Sequence, residues 1–187
     1  SNANPSKRRN AGIGFVPEER NGHAAVPSMT LSENNLLTCH SQKGVVRRGV
    51  INSSAMEKSA IDISSTFDVR TPNKNPLASS LSGGNLQKFI IGREIIKNPR
   101  VFIVAQPTWG LDVGAATFIR SAMINLAKDG TAVIMISQDL DEIFLISQRI
   151  SVLHNGKLSQ PILASDVTAE EVGLLMGGTE KNDGKKI

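Results

Sequence analysis

The chain has 187 residues, of which 40% are hydrophobic and 20% charged, enough for one soluble domain, or a domain with a lobe, to bury a core. Lys and Arg outnumber Asp and Glu by 21 to 17, a net +4, and part of the excess sits in the short runs Lys7-Arg8-Arg9, Arg47-Arg48 and Lys185-Lys186, which read as solvated termini and loops and call for no nucleic acid. A single cysteine, Cys39, excludes an internal disulfide and forms no metal cluster with His23, His40 and His154, and no apolar run approaches the ~20 residues of a membrane span.

Ser1-Asn2-Ala3 reads as an expression scar, so residues 1–3 are set aside and the natural chain is expected to extend upstream. Gly12 to Val16 is a short apolar run ended by Pro17, a buried strand feeding a polar loop from Glu18 to Gly22. Thr30 with Glu33 has capping-box spacing and opens a helix toward Thr38. Residues 41–53 are basic, unpatterned and expected to be loop. Ser54 to Phe67 carries apolar side chains at helical spacing, and two prolines break the pattern between Arg70 and Pro76. In LSGGNLQKFIIGREIIKNP, residues 81–99, Leu86, Phe89, Ile90, Ile95 and Ile96 give a buried helix that Asn98-Pro99 stops.

From residue 100 strands and helices alternate: strand Val101 to Ala105, helix Gly114 to Lys128 closed by Gly130, strand Ala132 to Ile136, helix Leu140 to Ile146, strand Ile150 to His154. Asn155-Gly156 is a tight-turn pair that returns Lys157 to Leu163 as a hairpin partner, and Asp166 is expected to cap a last helix ending near Met176. The pattern divides into a core strand with its loop (4–26), a mostly helical insertion (27–98), an α/β core (99–177) and a tail (178–187).

Ser82-Gly83-Gly84 stands directly before a helix, where two glycines admit a ligand close to the backbone and the helix N-terminus offers unpaired N–H groups to a phosphate. Alone the tripeptide reads far more often as a flexible cap before a core helix than as a phosphate site. Its setting is more specific: a strand ending in Pro-Glu, then LSGGNLQK, then a strand followed by PTWGLD, then a strand ending in ISQDLDE. That order resembles the ATP-binding cassette of ABC transporters, in particular the C-terminal cassette of the tandem ATPases that serve sugar and nucleoside importers, over residues 11–177.

The resemblance implies an α/β, RecA-like P-loop NTPase core of the ABC type, incomplete here, with a helical signature subdomain. It implies that Ser82, Gly83, Gly84 and Asn85 form the signature that grips the γ-phosphate of an ATP held by a facing cassette, and that Asp112 occupies the D-loop position at the interface between them. As a loop acid, Asp112 also suits the cap of the following helix. ATP and Mg²⁺ are the implied cofactors of the full-length protein, mainly at the facing cassette, with none expected on this fragment. The implied partners are that cassette, transmembrane permease subunits received by residues 18–40, and indirectly an extracytoplasmic substrate-binding protein. The implied location is peripheral, on the cytoplasmic face of the membrane.

Several positions depart from the family pattern. Where it places Asp-Glu, this chain has Ala105, which carries no ligand atom, and Gln106, an amide that cannot take a proton near neutrality. Glu18 stands at the Q-loop position and Gln138 replaces the switch His. The loop G-x-x-x-x-G-K-[ST] is nowhere in the chain, and its place would lie upstream of Gly12. Trp109 replaces an Arg and reads as packing at its loop. The expectation is a degenerate cassette that lends its signature to another. Two alternatives stay open: an ABC-type ATPase of DNA repair or chromosome organisation, whose long heptads are missing from 27–98, and a non-enzymatic regulatory module of the same fold.

Overall fold

Three of the apolar runs assemble into one parallel sheet. In the computed structural model, which describes residues 2–40, 44–47 and 49–178, β1 (Ile13–Val16), β4 (Val101–Ala105) and β5 (Ala132–Ile136) lie in the order β1-β4-β5. Ile13 pairs with Val101, Phe15 with Ile103, and Ile103 with Ile134, so the strands are in step and their C-terminal ends emerge together. Both crossovers step across the sheet in the same direction, and right-handed connection therefore places their helices on one face. Helices α4 (Gly83–Ile95) and α5 (Val113–Lys128) accordingly touch each other, and Gly14, Val16, Phe102 and Val104 beneath that layer are buried. The opposite face is apolar and open, with Phe15, Ile134 and Ile136 about half exposed.

Before β1, Asn4 caps a short helix, α1 (Pro5–Asn10), with Pro at its first position, where only a basic run had been legible. Between β1 and α4 the chain forms α2 (Leu31–Cys39) and α3 (Ser53–Thr66), which pack together and enclose Cys39, Val45 and Met56. The Thr30–Glu33 capping box is present in both halves. Residues 41–53, expected as loop, contain a two-residue antiparallel pair, β2 (Val46–Arg47) with β3 (Val50–Ile51), and Asn52 caps α3. The side chain of Asn34, fully buried, accepts from the Val26 amide at 2.7 Å and donates to the carbonyls of Val26, Met29 and Thr30. It thereby fixes the chain entering α2, replacing the water those backbone groups lose.

Two compact units result, Ser1–Ile136 and Ser137–Ile187, the boundary falling inside the stretch 99–177. In the second, α6 (Leu140–Ile146) is followed by β6 (Arg149–Ile150), β7 (Leu153–His154), β8 (Lys157–Leu158) and β9 (Ile162–Leu163), and Val172 of α7 (Ala169–Met176) packs with Ile150 and Val152. The expected strand 150–154 is thus broken in two. β7 pairs with β8 across the Asn155-Gly156 turn, both of whose residues have positive φ, and β6 pairs with β9. The cap of α7 is Thr168 in a second capping box with Glu171, a correction to Asp166, which closes a 3₁₀ turn instead. Among the described residues no helix is long and apolar enough to cross a membrane. The tail beyond 178 and Arg48 lie outside the described residues.

Candidate phosphate cradle and its neighbouring loops

Ser82 ends the extended chain and caps α4. Its hydroxyl accepts from the Asn85 side-chain amide at 3.0 Å and, at 3.4 Å, from the Asn85 backbone N–H, while Asn85 Oδ1 accepts from the Arg70 amide at 2.9 Å. The signature side chains therefore brace one another, and the first-turn N–H groups of Gly83 and Gly84 have no carbonyl a turn earlier to receive them. Ser82 and Gly83 are exposed. A methyl group on Gly84 would stand 3.2 Å from Ala115 Cβ and 3.7 Å from Asp112 Oδ2, so the glycine lets α5 and its capping acid approach the cradle. The donor set, a hydroxyl and helix N-terminal amides beside bare glycine, fits a phosphate oxygen.

Asp112 accepts from the Ala115 amide at 2.9 Å and so caps α5, while its position next to Gly84 brings it to the cradle. The loop that leads to it begins with Gln106. This residue is buried, has φ +46°, and precedes Pro107, a combination that sterics disfavour twice over. A left-handed non-glycine residue costs about 1–3 kcal/mol and concentrates at functional sites. Its amide donates to Ile136 O at 2.8 Å, which ties the ends of β4 and β5 together. Trp109, expected to pack at the loop, is 70% exposed, and Val113, next to Asp112 in the chain, is 83% exposed.

The ends of β1 and β4 are in register, so Pro17-Glu18 leaves the sheet beside Ala105-Gln106. Glu18 is exposed. Gln138 belongs to the second unit, two residues beyond β5. At 105–106 the side chains are a methyl group, with no ligand atom, and a carboxamide, which offers a cation no negative charge and takes no proton near neutrality.

Four polar residues that carried no signal in the motif comparison prove structural to the site. Gln87 Nε2, buried, donates to Pro107 O at 3.0 Å, and its equally buried Oε1 has no hydrogen-bond partner among the described residues. The Arg20 guanidinium donates to Trp109 O and lies 3.2 Å from where a Gly83 methyl would stand. Arg93, deep in α4, donates to Asn34 O at 2.9 Å and Ala24 O at 2.8 Å, and Glu94 accepts from both Arg93 and Lys97. Burial holds the Arg93 and Lys97 pKa values below their ordinary ones, with Glu94 opposing the shift. Asn34 completes the set. A lone Gln or Arg-Glu pair on an apolar helix face is the sequence signal that would have found the first and third.

No family model matches the chain. Among curated proteins it is similar to the guanosine import ATP-binding protein NupO of Bacillus subtilis, at 42% identity over 185 residues, and to the nucleoside import ATP-binding protein NupA of Lactococcus lactis, at 39% over 183. It also matches the ribose import ATP-binding protein RbsA 2 of Streptomyces avermitilis at 36% over 172 residues. Among solved structures, the ATP-binding cassette MJ0796, a dimer in a post-hydrolysis state bound to ADP and Pi, superposes with a TM-score of 0.69 at 26% identity, covering 85% of this chain and 66% of that one. The chain has the fold of an ABC ATPase cassette. Its relatives are sugar and nucleoside import proteins, as the resemblance implied. Each alignment covers 92–98% of this chain but only 34–36% of the relative, so this ABC chain spans about a third of their length.

Proposed function

We propose that this ABC chain is part of the ATP-binding subunit of an importer of simple sugars or nucleosides, and that its cassette is a lender of parts. Ser82 and the amides of Gly83 and Gly84 would hold the γ-phosphate of an ATP bound mainly by a facing cassette, and Asp112 would meet that cassette at the interface. ATP supplies the energy of closure when bound there. The observation that carries this reading is an asymmetry: the cradle is open, braced and flanked by Asp112, whereas Ala105 and Gln106 offer neither an acid for a metal nor a base for water.

The family and the import relatives favour this over DNA repair, and the exposed Trp109 and Val113 beside Asp112 give a facing cassette apolar surface to cover. Permease subunits would be engaged through residues 18–40 on the cytoplasmic face of the membrane, with a substrate-binding protein acting on its other side. In the full-length protein, Ser82→Arg would fill the cradle with a long side chain and exclude the phosphate. ATP hydrolysis and solute uptake by the reconstituted importer should both fall by at least about 100-fold, the scale of removing a preorganised oxyanion donor. Unchanged turnover with Arg at position 82 would sink the proposal.

A further inference from the structure

We propose that Arg20 is a positioning residue for the cradle: lodged between Gly83 and the Trp109 carbonyl, it makes the Glu18–Gly22 turn, the loop before Asp112 and the signature shift as one body. The functional part of this inference rests on the cradle meeting a nucleotide. Arg20 projects from a rigid base, because its own carbonyl accepts from the amides of Ala24 at 3.2 Å and Ala25 at 2.7 Å, and the Gly22 amide closes the turn on Ala25 O at 2.7 Å. At the far end of the side chain, one guanidinium nitrogen reaches Trp109 O and the other faces Gly83.

The loop from Gln106 to Asp112 is tied at its start to β5, where the Gln106 amide donates to Ile136 O at 2.8 Å. Within it, Trp109 N–H donates to Gln106 O at 3.3 Å and Leu111 N–H to Thr108 O at 3.1 Å. Gln87 supplies a further outside anchor, from the signature helix to Pro107 O. Two side-chain donors on the carbonyls of residues 107 and 109, one from each neighbouring segment, couple the middle of the loop to both. Partial burial also lowers the Arg20 pKa, in keeping with a guanidinium lodged against protein and not in solvent. A lysine would keep the charge and lose the fork, so it could satisfy only one of the two contacts.

The test is hydrogen–deuterium exchange of the full-length protein without nucleotide, comparing wild type, Arg20→Ala and Arg20→Lys, together with ATPase kinetics of the same proteins in the importer. Removing a charge-assisted bond should speed exchange of the Trp109 and Leu111 amides about tenfold in Arg20→Ala, with a smaller rise in Arg20→Lys, while α2 and α3 keep wild-type protection. The kcat should fall in the same order with KM for ATP changed less than about twofold, because Arg20 orients the cradle without touching the nucleotide. Unchanged exchange over 106–112 would overturn the proposal, as would loosening spread equally over α2 and α3, or a looser loop with unaltered kcat. Should Arg20→Ala fail to fold, Arg20→Lys carries the same comparison. The nucleotide-free exchange result stands whatever Ser82→Arg does, so the two readings fail separately.

Discussion

Gly92 lies in the interior of α4, where alanine ordinarily gains about 1 kcal/mol over glycine. Here a methyl group would stand 2.5 Å from Phe67 Cδ2 and 2.6 Å from Cγ, against the body of a buried ring. That ring is itself held edge-on to Phe118, with centroids 6.4 Å apart at 74°, and cannot simply turn away. Gly92→Ala should therefore destabilise the fold by about 1–3 kcal/mol, seen as a lower urea midpoint with unchanged slope. The residue scale also explains what the alphabet concealed. Gln106 is written as an ordinary polar residue, yet it sits in a conformation imposed by its neighbours, and only coordinates reveal a φ of +46° before a proline. Trp109 departs from the packing expected of it at its loop, because the loop leaves its ring exposed.

At the scale of elements, α4 is the hub. Its first turn forms the cradle, its middle carries Gln87 to the loop at Pro107, and its last turn sends Arg93, with Lys97 just beyond its end, to the backbone of the Ala24 turn and α2. One face also binds the end of α3: Lys88 donates to Asp68 Oδ2 at 2.9 Å and to its carbonyl at 3.1 Å, and its ammonium stands 4.8 Å from the centre of the Phe118 ring. The hydrogen bond and the charge of Lys88 hold the Asp68 carboxyl below its ordinary pKa. A depressed folded-state value means that the ionised carboxylate stabilises the fold above the ordinary value and loses that contribution as pH falls through the lowered one. Asp68→Asn, which also tolerates the left-handed backbone at this position, should flatten the acid limb of the urea midpoint, from the ordinary carboxylate range downward, and leave neutral activity intact. The length and buried character of α4 were legible from its apolar spacing, but its polar contacts were not, because Arg93 and Gln87 bond to carbonyls 20 to 69 residues away along the chain.

For the whole molecule, strand and helix alternation made the α/β class and its parallel strands readable, since β-branched runs separated by capped helices have few other solutions. The site was readable to the degree that its chemistry is local: Ser82-Gly83-Gly84 and Asp112 each announce a helix N-terminus by residue type. Their adjacency was not, because it depends on the packing of α4 against α5 through Gly84 and Ala115. The four-residue strand β1 was placed to within one residue, whereas the broken strand at 150–154 and the cap at Thr168 show how two-residue pairings and competing capping residues escape pattern reading.

The open side of the sheet has a consequence for the chain in solution. Phe15, Ile103 and Ile134 stand in one row across three strands, flanked by Ile13, Val101, Ile136 and the smaller alanines, and parallel sheets ordinarily have both sides covered. A contiguous apolar surface of this kind governs colloidal behaviour more strongly than a net charge of +4 spread over 187 residues. Phe15→Thr combined with Ile134→Lys should raise the concentration at which light scattering first detects association, with no change in the circular dichroism of the helices. Association of this polypeptide in solution should therefore follow a surface on the side of the sheet away from α4 and α5.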